Sequence, residues 1–126
     1  MGCSAFLVGD VTTPAIGEGD LLAICSGSGE TKSMMVYADT AIKCGAKVLL
    51  FTTKDSSSLA EKADSIVVIH GKAAKNKEDG KQLSAQPLSN LFAQALGLTM
   101  DMLVIELMNK RNIDEDHMKA YHANLE

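Results

Sequence analysis

The feature that most constrains this chain is a set of short apolar runs separated by helix-forming segments. The runs are Ala5–Val8, Leu21–Cys25, Lys47–Thr53 and Ile66–Ile69. A strand with one wet face alternates apolar and polar residues. Runs that stay apolar are expected of strands covered on both faces, joined in parallel through crossover helices. Helix signals fall in the right gaps. A helical pattern begins near Glu30, with Met34, Met35, Ala38, Ala41 and Ile42 on one side and Gly45 as its C-terminal cap. Thr53–Ser58 is rich in N-cap residues and leads into a short helix, Leu59–Ala63. The pattern predicts an α/β fold with a parallel sheet of about four strands.

The rest of the chain frames this unit. Val11–Asp20 reads as a linker, and Gly71–Gln86 as a polar, lysine-rich loop. Pro87 opens a long helix that runs to about Asn112. Leu96, Val104, Leu107 and Met108 spread its apolar stripe past one face, which predicts burial on more than one side and hence a contact between copies. Asp114–Glu126 reads as a short terminal helix. With only 4% aromatic residues and no Trp, the core must be built from Leu, Val, Ile, Ala and Met.

Charge and cysteine content remove several function classes. A net charge of −4 argues against a nucleic-acid binder, which needs a basic face. The long uncharged stretch Leu83–Met100 is broken by Gln, Ser, Asn and Pro and makes a poor membrane span. Cys3, Cys25 and Cys44 are an odd set with no C-x-x-C, so neither a disulfide framework nor a zinc site is expected. The start of the chain lacks the basic region of a secretory leader. A reducing cytoplasm is the expected compartment.

The segment Ser26-Gly27-Ser28-Gly29-Glu30-Thr31 carries the chemistry. It joins a buried strand to a helix start, where unpaired N–H groups and the positive end of the macrodipole point outward. Glycines let the backbone approach a ligand, and Ser26, Ser28 and Thr31 add hydroxyls. Together they suit a phosphate. The alternative is a plain Ser/Thr cap on a tight turn. Neither G-x-x-x-x-G-K-[ST] nor G-x-G-x-x-G is present, so a nucleotide loop is not indicated. Three charge-assisted hydrogen bonds yield roughly 5–9 kcal/mol gross, against an association cost of at least about 4 kcal/mol. The rest of the ligand must therefore supply much of the affinity.

That segment resembles the phosphosugar loop of the sugar isomerase (SIS) domain family. Val8–Pro14, Gln86–Phe92 and His122–Glu126 are similar to segments of its 6-phospho-3-hexuloisomerase branch. The resemblance implies one sugar-phosphate-binding domain over residues 1–126, a flavodoxin-like three-layer α/β/α fold. It implies homo-oligomers, dimers or tetramers, and no metal or organic cofactor. The implied reaction interconverts arabino-hex-3-ulose 6-phosphate and fructose 6-phosphate. A base takes the C2 proton to form an enediol, and a proton returns at C3. Ser26, Gly27, Ser28, Gly29 and Thr31 would hold the phosphate. His122 matches a family histidine suited to proton shuttling, although the residues alone equally allow a solvated chain-end histidine.

Two departures from the family pattern sharpen the expectation. The family's first strand and its glycine-rich loop have no counterpart here, which implies an N-terminally truncated domain. In a 2-1-3-4-5 strand order that strand is central. Its loss would leave a slot about 10 Å wide, so Ala5–Val8 is expected to move in beside Leu21–Cys25, or another chain to fill the space. The family's proton-transfer glutamate falls at Ala93, followed by Gln94. A non-catalytic phosphosugar-binding module is therefore the alternative function. Ser56 is expected to be a plain cap, with Ser57 or Ser58 near a sugar hydroxyl, and Glu30 should face away from a bound phosphate. Cys25 reads as a small core residue, His70 as structural and His117 as a surface residue.

Overall fold

A computed structural model describes residues 2–71 and 85–124. The polar loop expected over Gly71–Gln86 lies outside these residues except at its ends. Two compact units emerge: residues 14–96, and residues 1–13 together with 97–126.

The first unit is the parallel α/β body that the apolar runs predict. Strand β1 (Leu21–Cys25) leads to helix α1 (Lys32–Lys43), strand β2 (Lys47–Thr52), a single 3-10 turn (Ala60–Lys62) and strand β3 (Ser65–Val68). The three strands pair in parallel in the order β1-β2-β3. Leu22 stands beside Val48, Ile24 beside Leu50, and Leu50 beside Ile66, so these side chains share one face. Ala38 and Ala41 of α1 pack onto that face with Leu59 and Ala60. Small residues on the helix bring its backbone close to the sheet, and Met34 and Met35 fill the margins. Gly45, at φ +84°, ends α1. Its N–H donates to Ile42 O at 3.0 Å and that of Ala46 to Ala41 O at 3.0 Å, the paired closure that a left-handed glycine allows.

Three expectations are corrected. Among the described residues the sheet has three strands, where about four were expected. Ala5–Val8 is irregular chain and forms no strand. Its preferred partners are local: Thr13 Oγ1 donates to Leu7 O at 2.6 Å, and Asp10 N–H donates to the same carbonyl at 3.0 Å. Nor is β1 covered on both faces. Leu22 and Ile24 are buried, but Leu21 and Cys25 on the opposite face are exposed, because α1 covers one side only.

Helix α2 (Asn90–Arg111) starts in the first unit and continues into the second. Phe92 is its one buried residue among those described, while Leu98, Met102 and Ile105 are more than half exposed. By length and composition α2 is sufficient to cross a membrane, which the shorter stretch Leu83–Met100 did not suggest. In the second unit Asn112 ends α2 at φ +52°, and Asp114 caps helix α3 (Glu115–Ala120) by accepting from His117 N–H at 2.8 Å.

Candidate functional site

The site is built where β1 and β2 end side by side. Cys25 is in register with Phe51, so the chain leaves the sheet at Ser26 and at Thr52-Thr53 on the same level. Ser26 N–H still donates to Phe51 O at 3.0 Å. Beyond it the Gly27 carbonyl accepts from Thr53 N–H at 3.2 Å, Thr53 Oγ1 at 2.7 Å and Thr52 Oγ1 at 3.3 Å. Three donors on one carbonyl fix the loop to the neighbouring strand end. Thr52 and Thr53 were not singled out from the sequence. The adjacent threonines at a strand exit were the available signal, but only the register shows which loop they hold.

Gly29 makes the turn toward the helix at φ +65°. A Cβ added there would lie 2.1 Å from Ser57 Oγ and 2.5 Å from Ser57 Cβ. Glycine is thus required twice, by backbone conformation and by space. Gly29 N–H closes the turn on Ser26 O at 3.1 Å, and its own carbonyl accepts from Leu59 N–H at 3.1 Å. Glu30 N–H donates to Ser28 Oγ at 3.2 Å.

The helix start is the informative part. Thr31 occupies the N-cap of α1, yet its side chain makes no capping bond, and the first turn holds no acidic residue. The Thr31 hydroxyl instead meets the buried Ser26 hydroxyl at 2.9 Å. The side chain best placed to satisfy the first N–H groups of α1 is thereby turned away from them. Ser26, Gly27, Ser28, Gly29 and Thr31 are brought together on one loop, as the sequence pattern required.

The neighbouring serines differ from expectation. Ser57, not Ser56, caps the 3-10 turn: its Oγ accepts from Ala60 N–H at 3.1 Å, and its side chain is buried against Gly29. Ser56 is exposed. Glu30 does not face away into solvent. Its carboxylate accepts from Ser58 N–H at 3.0 Å and from Ser58 Oγ at 2.8 Å, because Ser58 offers both donors at the rim of the same loop pair.

Partial burial raises the Cys25 thiol above its ordinary value, which disfavours the thiolate a nucleophile would need. His122 belongs to the second unit and is exposed, with Nδ1 3.1 Å from Ala123 O. His117 is exposed and lies beside Tyr121, with ring centroids 5.1 Å apart. Ala93 is exposed on the first turn of α2. A depression of about 330 Å³ opens near the start of β2 between Ile42, Lys47, Lys62 and Asp64. Its lysines are already paired, Lys47 with Asp64 and Lys62 with Asp39.

A parallel sheet whose strand ends carry a glycine–serine loop at a helix start defines an open α/β domain, with its ligand-facing loops at the carboxyl ends of the strands. Comparison with known proteins makes this specific. The model of the SIS domain matches residues 9–104. The 3-hexulose-6-phosphate isomerase of Bacillus subtilis is 40% identical over 126 residues, covering all of this chain and 68% of that protein. That of Mycobacterium gastri is 38% identical over 99% of this chain and 62% of its own length. A hypothetical protein of Methanococcus jannaschii, with an inferred 3-hexulose-6-phosphate isomerase function, superposes with a TM-score of 0.82. It is 26% identical, over 99% of this chain and 65% of its own. This chain belongs to the SIS domain family. It spans about two thirds of the length of these relatives.

Proposed function

We propose that this chain acts on a phosphorylated hexulose, interconverting arabino-hex-3-ulose 6-phosphate and fructose 6-phosphate through an enediol. The observation that carries the reading is the start of α1. A helix whose N-cap side chain is spent elsewhere, and whose first turn holds no acid, leaves its N–H groups to an outside anion. In this reading Ser26, Gly27, Ser28, Gly29 and Thr31 hold the phosphate. Ser58, on the rim with Ser57 beneath it, meets a sugar hydroxyl. His122 serves ring opening and proton shuttling near neutral pH. The similarity to isomerases of hexulose phosphates supports the substrate class.

The whole chain, residues 1–126, works in this proposal as a single sugar-phosphate domain in the cytoplasm. The apolar side of α2 pairs copies into a homodimer or homotetramer. No cofactor, nucleic acid or membrane takes part. The second reading, a binding module without catalysis, draws on one position: Ala93 offers no proton-transfer group on the exposed first turn of α2.

Fructose 6-phosphate in deuterated buffer separates the two. An isomerase incorporates deuterium at C3, read by proton NMR, whereas a binding module shifts the protein's melting temperature with no incorporation. The double substitution Ser26→Ala with Ser28→Ala should abolish either response. A wild-type chain that shows neither exchange nor a thermal shift overturns the cradle reading itself.

A further inference from the structure

We propose that Glu30 is a positioning residue, fastening the phosphate loop to the Ser58 turn so that the loop's amides are held in their ligand-binding arrangement. A carboxylate beside an anion site is electrostatically unfavourable. Its place here is explained by what it grips: one oxygen takes Ser58 N–H at 3.0 Å and the other takes Ser58 Oγ at 2.8 Å. Both are charge-assisted bonds from a single residue, which fix direction as well as distance.

The effect reaches beyond this pair. Leu59, next to Ser58, donates its N–H to Gly29 O at 3.1 Å, and buried Ser57 also lies against Gly29. Gly29 in turn donates to Ser26 O at 3.1 Å. A pull on Ser58 is thereby delivered to the turn that aims the loop. On the opposite flank Thr52 and Thr53 hold Gly27. Without Glu30 the loop is anchored on the β2 side but slack where it enters α1. The role of Glu30 in affinity rests on the sugar-phosphate reading above, but its role in loop order does not.

The test uses Glu30→Gln and Ser58→Ala, singly and combined, in the full chain. A carboxamide keeps the size of Glu30 but presents a donor to one of the two Ser58 donors. Amide hydrogen exchange without ligand should accelerate about tenfold or more in Glu30→Gln at Ser58, Leu59, Gly29 and Glu30. Fructose 6-phosphate should bind about tenfold more weakly at a temperature well below both melting points, where a purely structural role would leave affinity unchanged. Amide exchange at Gly29 and Leu59 should be no faster in the double variant than in Glu30→Gln, because the Ser58 hydroxyl acts on the loop through Glu30. Acceleration confined to Ser58 overturns the proposal, as does unchanged or tighter sugar-phosphate binding by Glu30→Gln. If the wild type binds no sugar phosphate, the functional reading fails while the exchange result still decides the role of Glu30.

Discussion

Substituting Gly29 by alanine tests the geometry of the site most directly. The first cost is conformational, since a residue with a Cβ at φ +65° loses about 1–2 kcal/mol. The second is steric. The new methyl would sit 2.5 Å from Ser57 Cβ as well as 2.1 Å from its hydroxyl, so a rotamer change cannot clear it and the Ser57 backbone must retreat. Overpacking of this kind costs about 1–3 kcal/mol. The retreat also breaks the bond from Ala60 N–H to Ser57 Oγ, worth about 1 kcal/mol. The sum is about 3–6 kcal/mol, which at a urea slope of about 1–3 kcal/mol/M lowers the midpoint by more than about 1 M.

Far-UV circular dichroism during urea titration measures this shift. Ser57→Gly is the companion variant, because it removes both atoms that the methyl would strike. In that background Gly29→Ala should cost only the conformational share of about 1–2 kcal/mol. A single Gly29→Ala that costs under about 1 kcal/mol would refute the reasoning. So would a cycle in which Ser57→Gly recovers nothing.

Three further outcomes are expected. Leu50→Ala, at a fully buried position in the central strand, should destabilise the chain by about 3–5 kcal/mol, read from the same urea titration. The hydrogen bond from Lys47, reinforced by Val48 N–H, holds the Asp64 carboxyl below the usual carboxylate range. A depressed folded value stabilises above the unfolded pKa of about 3.9 and is lost as pH falls through the folded value, so the gap between wild type and Asp64→Asn should be widest near neutral pH and close on acidification. Ala93→Glu, on an exposed first turn, should raise deuterium incorporation at C3 of fructose 6-phosphate by about 10²–10⁴ with little change in melting temperature.

The legible parts were those decided locally. Leu21–Cys25 became a strand with its predicted bounds, and Gly45 closed α1. Each depends on a residue and its near neighbours along the chain. The hydroxyls and glycines of 26–31 likewise came together because one loop carries them all. What was not legible depends on distant segments brought together by the sheet. The direction of Glu30 was set by Ser58, twenty-eight residues on. The cap expected at Ser56 fell to Ser57, the residue facing Gly29. Ala5–Val8 has the composition of a strand, but Leu7 is engaged locally, by Thr13 and Asp10. The exposed face of β1 misled for a related reason: an apolar residue announces a preference for burial, not the presence of a cover.

The uncapped start of α1 has a consequence for anyone who sets out to toughen this protein. Thr31 forgoes a bond that an N-cap ordinarily contributes, about 1 kcal/mol. Thr31→Asp would recover it in exchange for the hydroxyl contact with buried Ser26, and a screen for heat resistance would retain it wherever the cap outweighs that contact. It would also place a permanent carboxylate where the proposed phosphate would sit. On the proposed function, selection for ruggedness alone would therefore favour a chain that no longer takes its ligand.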